Sequence, residues 1–140
     1  MQLNLPQYSH NIRKREELLE IFCLVRRKWY LLTPEEWVRQ NLVVHLERHV
    51  GYPLARIAFE KELEVNGKRM RPDIILYNPQ WEVDGIIECK APYIELDQKV
   101  LDQIGRYDRI LQARWVGISN GLQHHFYNAE SGWRQEWPML

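Results

Sequence analysis

The sequence has few cysteines and no excess of charge of either sign. Only Cys23 and Cys89 are present among 140 residues, which is too few for a disulfide framework and favours a reducing compartment such as the cytoplasm. Lys and Arg together number 19, and Asp and Glu also number 19, so the formal net charge is zero. This balance excludes proteins that bind nucleic acid through bulk positive charge, as histones do.

Long hydrophobic runs are also missing. The longest ones, such as Ile21–Val25, fall far short of the roughly 20 residues that a membrane-spanning helix needs. The first ten residues are polar and lack the apolar region of a signal peptide. With 45% hydrophobic residues and no internal repeat, the chain has enough material for one packed core. We therefore predict a single domain over 1–140, with an N-terminal extension (1–32), a core (33–128) and a C-terminal tail (129–140), and no contact with a membrane.

A strong helix start lies at Thr33-Pro34-Glu35-Glu36. Thr33 can cap the helix, Pro34 suits its first position, and Glu36 completes a capping box. An apolar residue then recurs every fourth position until Gly51, which is typical of a helix with one buried face. Residues 11–25 fit either a short amphipathic helix or a pair of strands.

After this helix the apolar pattern changes to a period of two, which indicates strands. Asn66-Gly67 is typical of a tight hairpin turn, and Pro92 ends the third strand. A helical pattern between the third and fourth strands allows a parallel crossover. The sequence thus predicts an α/β fold, in α-β-β-β-α-β-β order, with a mixed central β-sheet flanked by helices. The predicted strands are 56–65, 70–77, 82–90, 115–119 and 122–127, the second helix is 96–113, and 132–140 could add an edge strand.

Charged residues stand at the ends of two predicted strands. Asp73 lies early in the second strand, and Glu88 and Lys90 lie at the end of the third. Alternation along a strand puts Glu88 and Lys90 on one face and turns Cys89 to the other. If the two strands pair as a hairpin, the two carboxylates and the lysine converge at one edge of the sheet.

Such a group of residues suits a divalent metal site. Asp73 and Glu88 would supply hard oxygen ligands, and the peptide carbonyl of Cys89 could supply another. A metal there could acidify a bound water, with Lys90 orienting the water or stabilising charge on phosphorus. Taken singly, a Glu-x-Lys on a strand is usually a solvated pair and a Pro-Asp is usually a turn. Their spacing across a hairpin, directly after the apolar Ile86-Ile87, favours the interpretation that the two motifs form one metal site.

The Asp73…Glu88-x-Lys90 pattern in this element order resembles the PD-(D/E)XK nucleases, which have the restriction-endonuclease-like fold. In more detail, residues 20 to 128 resemble the N-terminal nuclease domain of type I restriction-enzyme R subunits. Glu-Cys-Lys-Ala-Pro, residues 88–92, is the most specific part of the resemblance. The other matching stretches are residues 32–40, Gly51-Tyr52-Pro53, Asn66-Gly67, Arg71-Pro72-Asp73 and Asn120-Gly121.

The resemblance implies a metal-dependent DNA endonuclease with Mg²⁺, or Mn²⁺, as cofactor. It implies a glutamate on the first helix that faces the metal, either Glu35 or Glu36; the apolar stripe favours Glu35. It also implies a Gln103-x-x-x-Tyr107 motif beside the active site, with Gln103 near the attacking water and Tyr107 on DNA. As partners it implies double-stranded DNA and the other subunits of a restriction system. R subunits also carry a helicase-like motor, but this sequence has no phosphate-binding loop, so we expect no ATP-driven translocation from it.

Basic residues next to Asp73 are the best candidates for DNA contacts. Lys68, Arg69 and Arg71 lead from the hairpin turn directly to it. The clusters at 13–15 and 26–28 are expected to be solvated surface. A homodimer is expected if both DNA strands are cut, because one site cuts one strand.

Two other functions fit the sequence. One is a module of the nuclease fold that binds DNA or a partner protein without cutting. The other is a small self-assembling subunit with a tryptophan-rich surface, since there are six tryptophans.

Overall fold

A computed structural model describes residues 2–140, and its first part is a three-stranded antiparallel sheet. Its strands are β1 (Ile12–Arg15), β2 (Leu18–Cys23) and β3 (Lys28–Leu31). Glu16 and Glu17 connect β1 to β2 with positive φ angles of 49° and 70°, the backbone of a tight hairpin turn. Of the two structures left open for residues 11–25, strands are therefore the one that forms.

The first helix, α1, spans Pro34–His45. The Thr33 hydroxyl accepts a hydrogen bond from the Glu36 N–H at 3.0 Å, so the cap forms as predicted. The reciprocal half of the capping box does not form, because the Thr33 N–H bonds to the Leu31 carbonyl and the Glu36 carboxylate is bound elsewhere. A π-helical turn (Leu46–Val50) follows, and Gly51, with φ of 106°, ends it.

Six strands form the central sheet, in the order β11-β10-β9-β8-β7-β4. Only the β8–β9 pair is parallel, so the sheet is mixed. The predicted first and second strands are each divided in two, because Glu60 adopts a positive φ of 53° and the chain bends before Ile74. Their outer halves form a separate hairpin, β5–β6, around the predicted Asn66-Gly67 turn. The strands are β4 (Ile57–Phe59), β5 (Leu63–Val65), β6 (Lys68–Met70), β7 (Ile74–Tyr77), β8 (Val83–Cys89), β9 (Trp115–Ser119), β10 (His124–Asn128) and β11 (Gly132–Arg134).

Two apolar clusters cover the two faces of this sheet. On one face Ile74 and Ile87 pack with α1 residues such as Leu42, and on the other Ile75 packs with Ile104 of the second helix. That helix, α2, spans Gln98–Leu111 and is capped by the Asp97 carboxylate. The predicted α/β fold, with helices flanking a mixed sheet, is confirmed. Among residues 2–140, no helix is long and apolar enough to cross a membrane.

Candidate active site

Asp73 and Glu88 lie opposite each other at one end of the β7–β8 hairpin. Ile74 pairs with Ile87, so the next position along brings Asp73 against Glu88. Strand alternation places both residues on the face that α2 covers. The hairpin predicted from sequence therefore brings the two carboxylates together.

Glu88 is half-buried, and its carboxyl group, whose Oε1 atom is fully buried, is only partly satisfied. Its Oε1 atom has no hydrogen-bond partner. Burial first, and then the adjacent Asp73 carboxylate, raise the pKa of Glu88 to about 8. Lys90, on the same face, counteracts this rise with its positive charge. A buried acceptor without a partner is costly, so it marks a place where a bound cation would be stabilised.

Asp73 is held by groups from two directions. Its Oδ2 accepts a hydrogen bond from the Cys89 N–H at 2.8 Å, and its Oδ1 lies 3.4 Å from the Arg39 guanidinium. The Cys89 side chain points to the opposite face, into the core beneath α1. Burial raises the pKa of its thiol, which keeps the thiol protonated and unreactive at neutral pH.

The two glutamates at the start of α1 have different environments. Glu36 is buried; Arg26 donates to it at 2.8 Å and Gln40 donates to it at 2.9 Å. The Glu35 side chain keeps 46% exposure, and its pKa is raised by burial and then by the Asp73 carboxylate. Lys90 acts on Glu35 in the opposite direction. Glu35 is therefore the helix carboxylate that interacts electrostatically with Asp73 and Lys90, whereas Glu36 belongs to an ion-pair network.

Sequence reasoning missed Arg39, which is buried among four carboxylates. Its guanidinium lies 2.9 Å from Glu60 and 3.4 to 3.7 Å from the three others, which are Asp73, Glu35 and Glu36. Burial alone would lower the pKa of Arg39, but the surrounding acidic groups raise it. The only sequence signal was the spacing of Glu35 and Glu36 from Arg39, and a pair spaced in this way is usually on the helix surface. The divided strand that brings in Glu60 could not be seen in advance.

Gln103 and Tyr107 both lie on α2, one turn apart. Gln103 is exposed. Tyr107 is half-buried against the core, and its pKa is raised by burial and then by the charges of Glu88 and Asp73. Tyr107 therefore lies close enough to the two carboxylates to interact with them electrostatically, whereas Gln103 faces solvent.

The three basic residues assigned to DNA lie along the β5–β6 hairpin and the bend that follows. Lys68 is exposed, and Arg69 forms an exposed ion pair with Glu62 at 3.5 Å. Arg71 donates a 2.7 Å hydrogen bond to the Glu60 carbonyl, which fixes it two residues from Asp73. Arg26, expected on a solvated surface, instead lies part-buried against Glu36.

The donor set at this end of the sheet suits magnesium. Among residues 2–140, no three His, Cys, Asp or Glu side chains converge closely enough to hold a metal ion together. The available protein donors are thus the Asp73 and Glu88 carboxylates, and one or two carboxylates are what Mg²⁺ usually takes, with waters completing its coordination. The unpartnered Glu88 oxygen fits this reading.

A tryptophan-rich surface is not observed. Of the six tryptophans only Trp81 is largely exposed, at 61%, and Trp115 is fully buried in the core. The other four tryptophans are half-buried, so the self-assembly alternative has less exposed tryptophan surface than the sequence suggested.

Comparison with known proteins places this geometry in context. No curated protein matches the chain. A solved structure described as a fragment of an HsdR subunit of a type I restriction enzyme from Vibrio vulnificus YJ016 is similar in fold, with a TM-score of 0.57 at 16% identity. The match covers 77% of this chain and 24% of that one, so this chain spans about a quarter of that protein. A family model of the type I restriction enzyme R protein N terminus matches residues 34–137, from the start of α1 to the tail. The chain therefore belongs to the family of type I restriction enzyme R protein N-terminal domains.

Proposed function

We propose that this chain is a metal-dependent DNA endonuclease that hydrolyses phosphodiester bonds. The observation that carries the proposal is the half-buried carboxyl pair Asp73–Glu88, with one buried Glu88 oxygen lacking any partner. Family membership supports a nuclease-related role. Mg²⁺, or Mn²⁺ in its place, is the proposed cofactor, and double-stranded DNA is the proposed substrate.

Asp73 and Glu88 would hold the cofactor. The Cys89 N–H fixes the direction of the Asp73 carboxylate, so one oxygen is oriented before any ion binds. The Cys89 carbonyl is a proposed third protein donor. The chemistry that such an ion supplies when bound is polarisation of a phosphate and acidification of a water.

The residues around the pair would handle the proton and the phosphate. Lys90 is proposed to donate to the phosphate oxygen on which negative charge builds. Glu35, half-exposed and with a raised pKa, is proposed to orient the attacking water, with Gln103 at its outer side. Tyr107, Lys68, Arg69 and Arg71 are the proposed DNA contacts.

Plasmid cleavage tests the proposal. Supercoiled DNA is incubated with Mg²⁺ or Mn²⁺ and wild type, Asp73→Asn, Glu88→Gln or Lys90→Ala. Each substitution should lower the nicking rate by about 100-fold or more, since each removes charge at the reacting centre. Glu64→Gln, an exposed carboxylate on β5, is the matched control and should cut normally. Cleavage that survives Asp73→Asn and Lys90→Ala would contradict the site.

A second function is favoured by the contact between Arg39 and Asp73. A guanidinium 3.4 Å from the carboxylate already supplies a positive charge there. In a binding module without cleavage, this cation would stand permanently in place of a metal. Calorimetric titration with Mg²⁺ separates the two functions: the nuclease binds the ion and Asp73→Asn weakens the binding, whereas the binding module shows no heat of binding.

A further inference from the structure

The N-terminal sheet has one face that the core does not cover. Ile21 and Cys23 are fully buried, so the alternate β2 residues, Glu20 and Phe22, point away from the core. The strand register carries this face across the neighbouring strands, where Phe22 pairs with Trp29 and Glu20 pairs with both Arg13 and Leu31.

Two aromatic rings and an arginine form a platform on this face. The Phe22 and Trp29 rings meet edge to face, with centroids 5.4 Å apart, and neither belongs to an apolar core cluster. The Arg13 guanidinium lies 4.2 Å from the Trp29 ring centroid and is held there by Glu20 at 2.8 Å. Flat groups fixed in this way can stack on nucleic-acid bases.

Positive charge surrounds the platform. Residues 12–28 contain six basic and three acidic side chains. Arg13 and Lys14 form ion pairs with Glu20 and Glu17. Arg15, on the same face as Arg13, and Arg27, in the turn after β2, are exposed, and neither takes part in an ion pair within the described part of the chain, residues 2–140. Lys28 is also exposed, but it pairs with the buried Cys23 and so lies on the opposite face of the sheet. Arg15 and Arg27 are therefore free to meet phosphates.

The turn between β2 and β3 joins this face to the candidate active site. Its Arg26 guanidinium lies over the Tyr30 ring at 3.4 Å and donates to Glu36 of α1 at 2.8 Å. Glu36 is the sequence neighbour of Glu35, which shares the field of Asp73. Arg27, the next residue along the chain, belongs to the same turn, which Arg26 ties to the start of α1.

We propose that this face, the Phe22–Trp29 face, binds a single-stranded segment of nucleic acid and leads it towards the candidate active site. Bases would stack on Phe22, Trp29 and Arg13, and phosphates would contact Arg15 and Arg27. The choice of nucleic acid as the occupant rests on the proposed function and on the charge surplus. The single strand follows from the rings, because paired bases in a duplex do not offer their faces for stacking. The face lies outside the residues that the family model matches.

Binding of a fluorescein-labelled oligothymidylate of about 20 nucleotides, followed by anisotropy in EDTA, tests this proposal. Trp29→Ala should weaken binding by about tenfold, the loss expected for one stacked base. Trp81→Ala is the matched control, because Trp81 is an exposed tryptophan on the β7–β8 loop. The affinity of this variant for the oligothymidylate should equal that of wild type.

The double variant Arg15→Ala/Arg27→Ala tests the phosphate contacts at exposed positions, where folding is not at risk. The slope of log affinity against log salt should become shallower by about 1.4, since each lost phosphate contact on a single strand removes roughly 0.7. Arg134→Ala, at the far edge of the central sheet, should leave the slope unchanged.

The outcomes separate this proposal from the proposed function, because binding in EDTA needs no catalysis. Binding that depends on Trp29 and is normal in Asp73→Asn supports the proposal even if the chain cuts nothing. Absence of oligothymidylate binding, or binding that both sets of variants leave unchanged, overturns it whether or not plasmid is cut. A preference for duplex over the single strand also overturns it. Capture of a purified protein through Leu18 and Leu31, with no affinity for the oligonucleotide, would assign the face to a protein partner instead.

Discussion

The two ends of strand β8 each carry an acidic residue, and the two residues differ in their hydrogen bonding. Near its start, Asp84 accepts a bidentate pair of hydrogen bonds from Arg114, at 3.0 and 3.1 Å, and a further one from the Tyr52 hydroxyl. Near its end, Glu88 faces another carboxylate and keeps one oxygen without a partner. The same residue class on the same strand is thus satisfied at one end and unsatisfied at the other.

The pKa values of the two residues follow from these surroundings. Burial alone would raise the pKa of Asp84, but hydrogen bonds from Arg114 and Tyr52 lower it. Burial and Asp73 raise the pKa of Glu88 to about 8. A satisfied buried carboxylate contributes stability, whereas an unsatisfied one costs stability and is kept where another task requires it. The difference marks the Asp84 end as structural and the Glu88 end as the candidate site.

The largest effect is expected from removing each acid in turn. Asp84→Ala leaves the buried Tyr52 hydroxyl without its acceptor and Arg114 without its carboxylate, so it should lower the free energy of unfolding by about 3 kcal/mol. Glu88→Gln removes a carboxyl group that takes up a proton on folding at pH 7.5, so the free energy of unfolding should stay the same or increase. Urea denaturation at pH 7.5 measures both. Equal destabilisation by the two variants would end the distinction between the two ends.

The same contrast applies on a smaller scale to the first turn of α1. Glu36→Gln breaks the pair with Arg26 and should cost about 2 kcal/mol of unfolding free energy. Glu35→Gln should cost less than about 0.5 kcal/mol, because the side chain is half-exposed and its contact with Arg39 is long, at 3.6 Å. Thermal unfolding of the two variants ranks them. A larger loss for Glu35→Gln would mean that the two roles have been exchanged.

Added Mg²⁺ should stabilise the folded chain through the carboxylates at the Glu88 end of β8. A cation that binds only the folded chain raises its stability by mass action, so at ten times the dissociation constant the gain is about 1.4 kcal/mol. Wild type should show this rise in melting temperature, and Asp73→Asn should not. Glu64→Gln is the control that should behave as wild type. An equal rise in all three would locate the ion elsewhere.

The smallest effect is the dependence of stability on pH between 7 and 8. The folded pKa of Glu88, about 8, lies above its unfolded value near 4.5, so the folded state holds the extra proton in this range. Stability should therefore fall as the pH rises, by about 1 kcal/mol from pH 7 to pH 8. His45, whose pKa is lowered to about 4 by burial, is neutral in the folded state and mostly neutral in the unfolded state here, so it opposes this fall only slightly. In Glu88→Gln the decrease should vanish; a decrease of the same size in that variant would assign it to another group.

Much of the fold could be predicted because it rests on local signals. The cap at Thr33, the Asn66-Gly67 turn and the apolar strand at Ile86-Ile87 all appear where the pattern indicates them. The errors occur where a single backbone angle decides, as at Glu60, whose positive φ divides the first predicted strand. No propensity argument indicates such an angle at a glutamate.

The sequence was enough to predict that Asp73 and Glu88 pair in the candidate site, but not which arginines lie around them. Alternation along a strand is enough to place Asp73 and Glu88 on one face. Arg39 is different: its contacts with Glu60 and Asp73 join segments 21 and 34 residues away, and only packing creates them. Arg26 was misjudged for the same reason, since its partner Glu36 lies on another element.

The sequence by itself determined which elements form and which charged residues share a strand face, because periodicity and turn chemistry act over a few residues. Only the tertiary structure decided which of these charges are satisfied. Whether a carboxylate is buried beside an arginine, as Asp84 is, or beside another carboxylate, as Glu88 is, depends on distant segments that fold against it. Burial amplifies each charge interaction. The packing of these distant segments therefore sets the pKa values of Asp84 and Glu88, and hence the chemistry available at each end of β8.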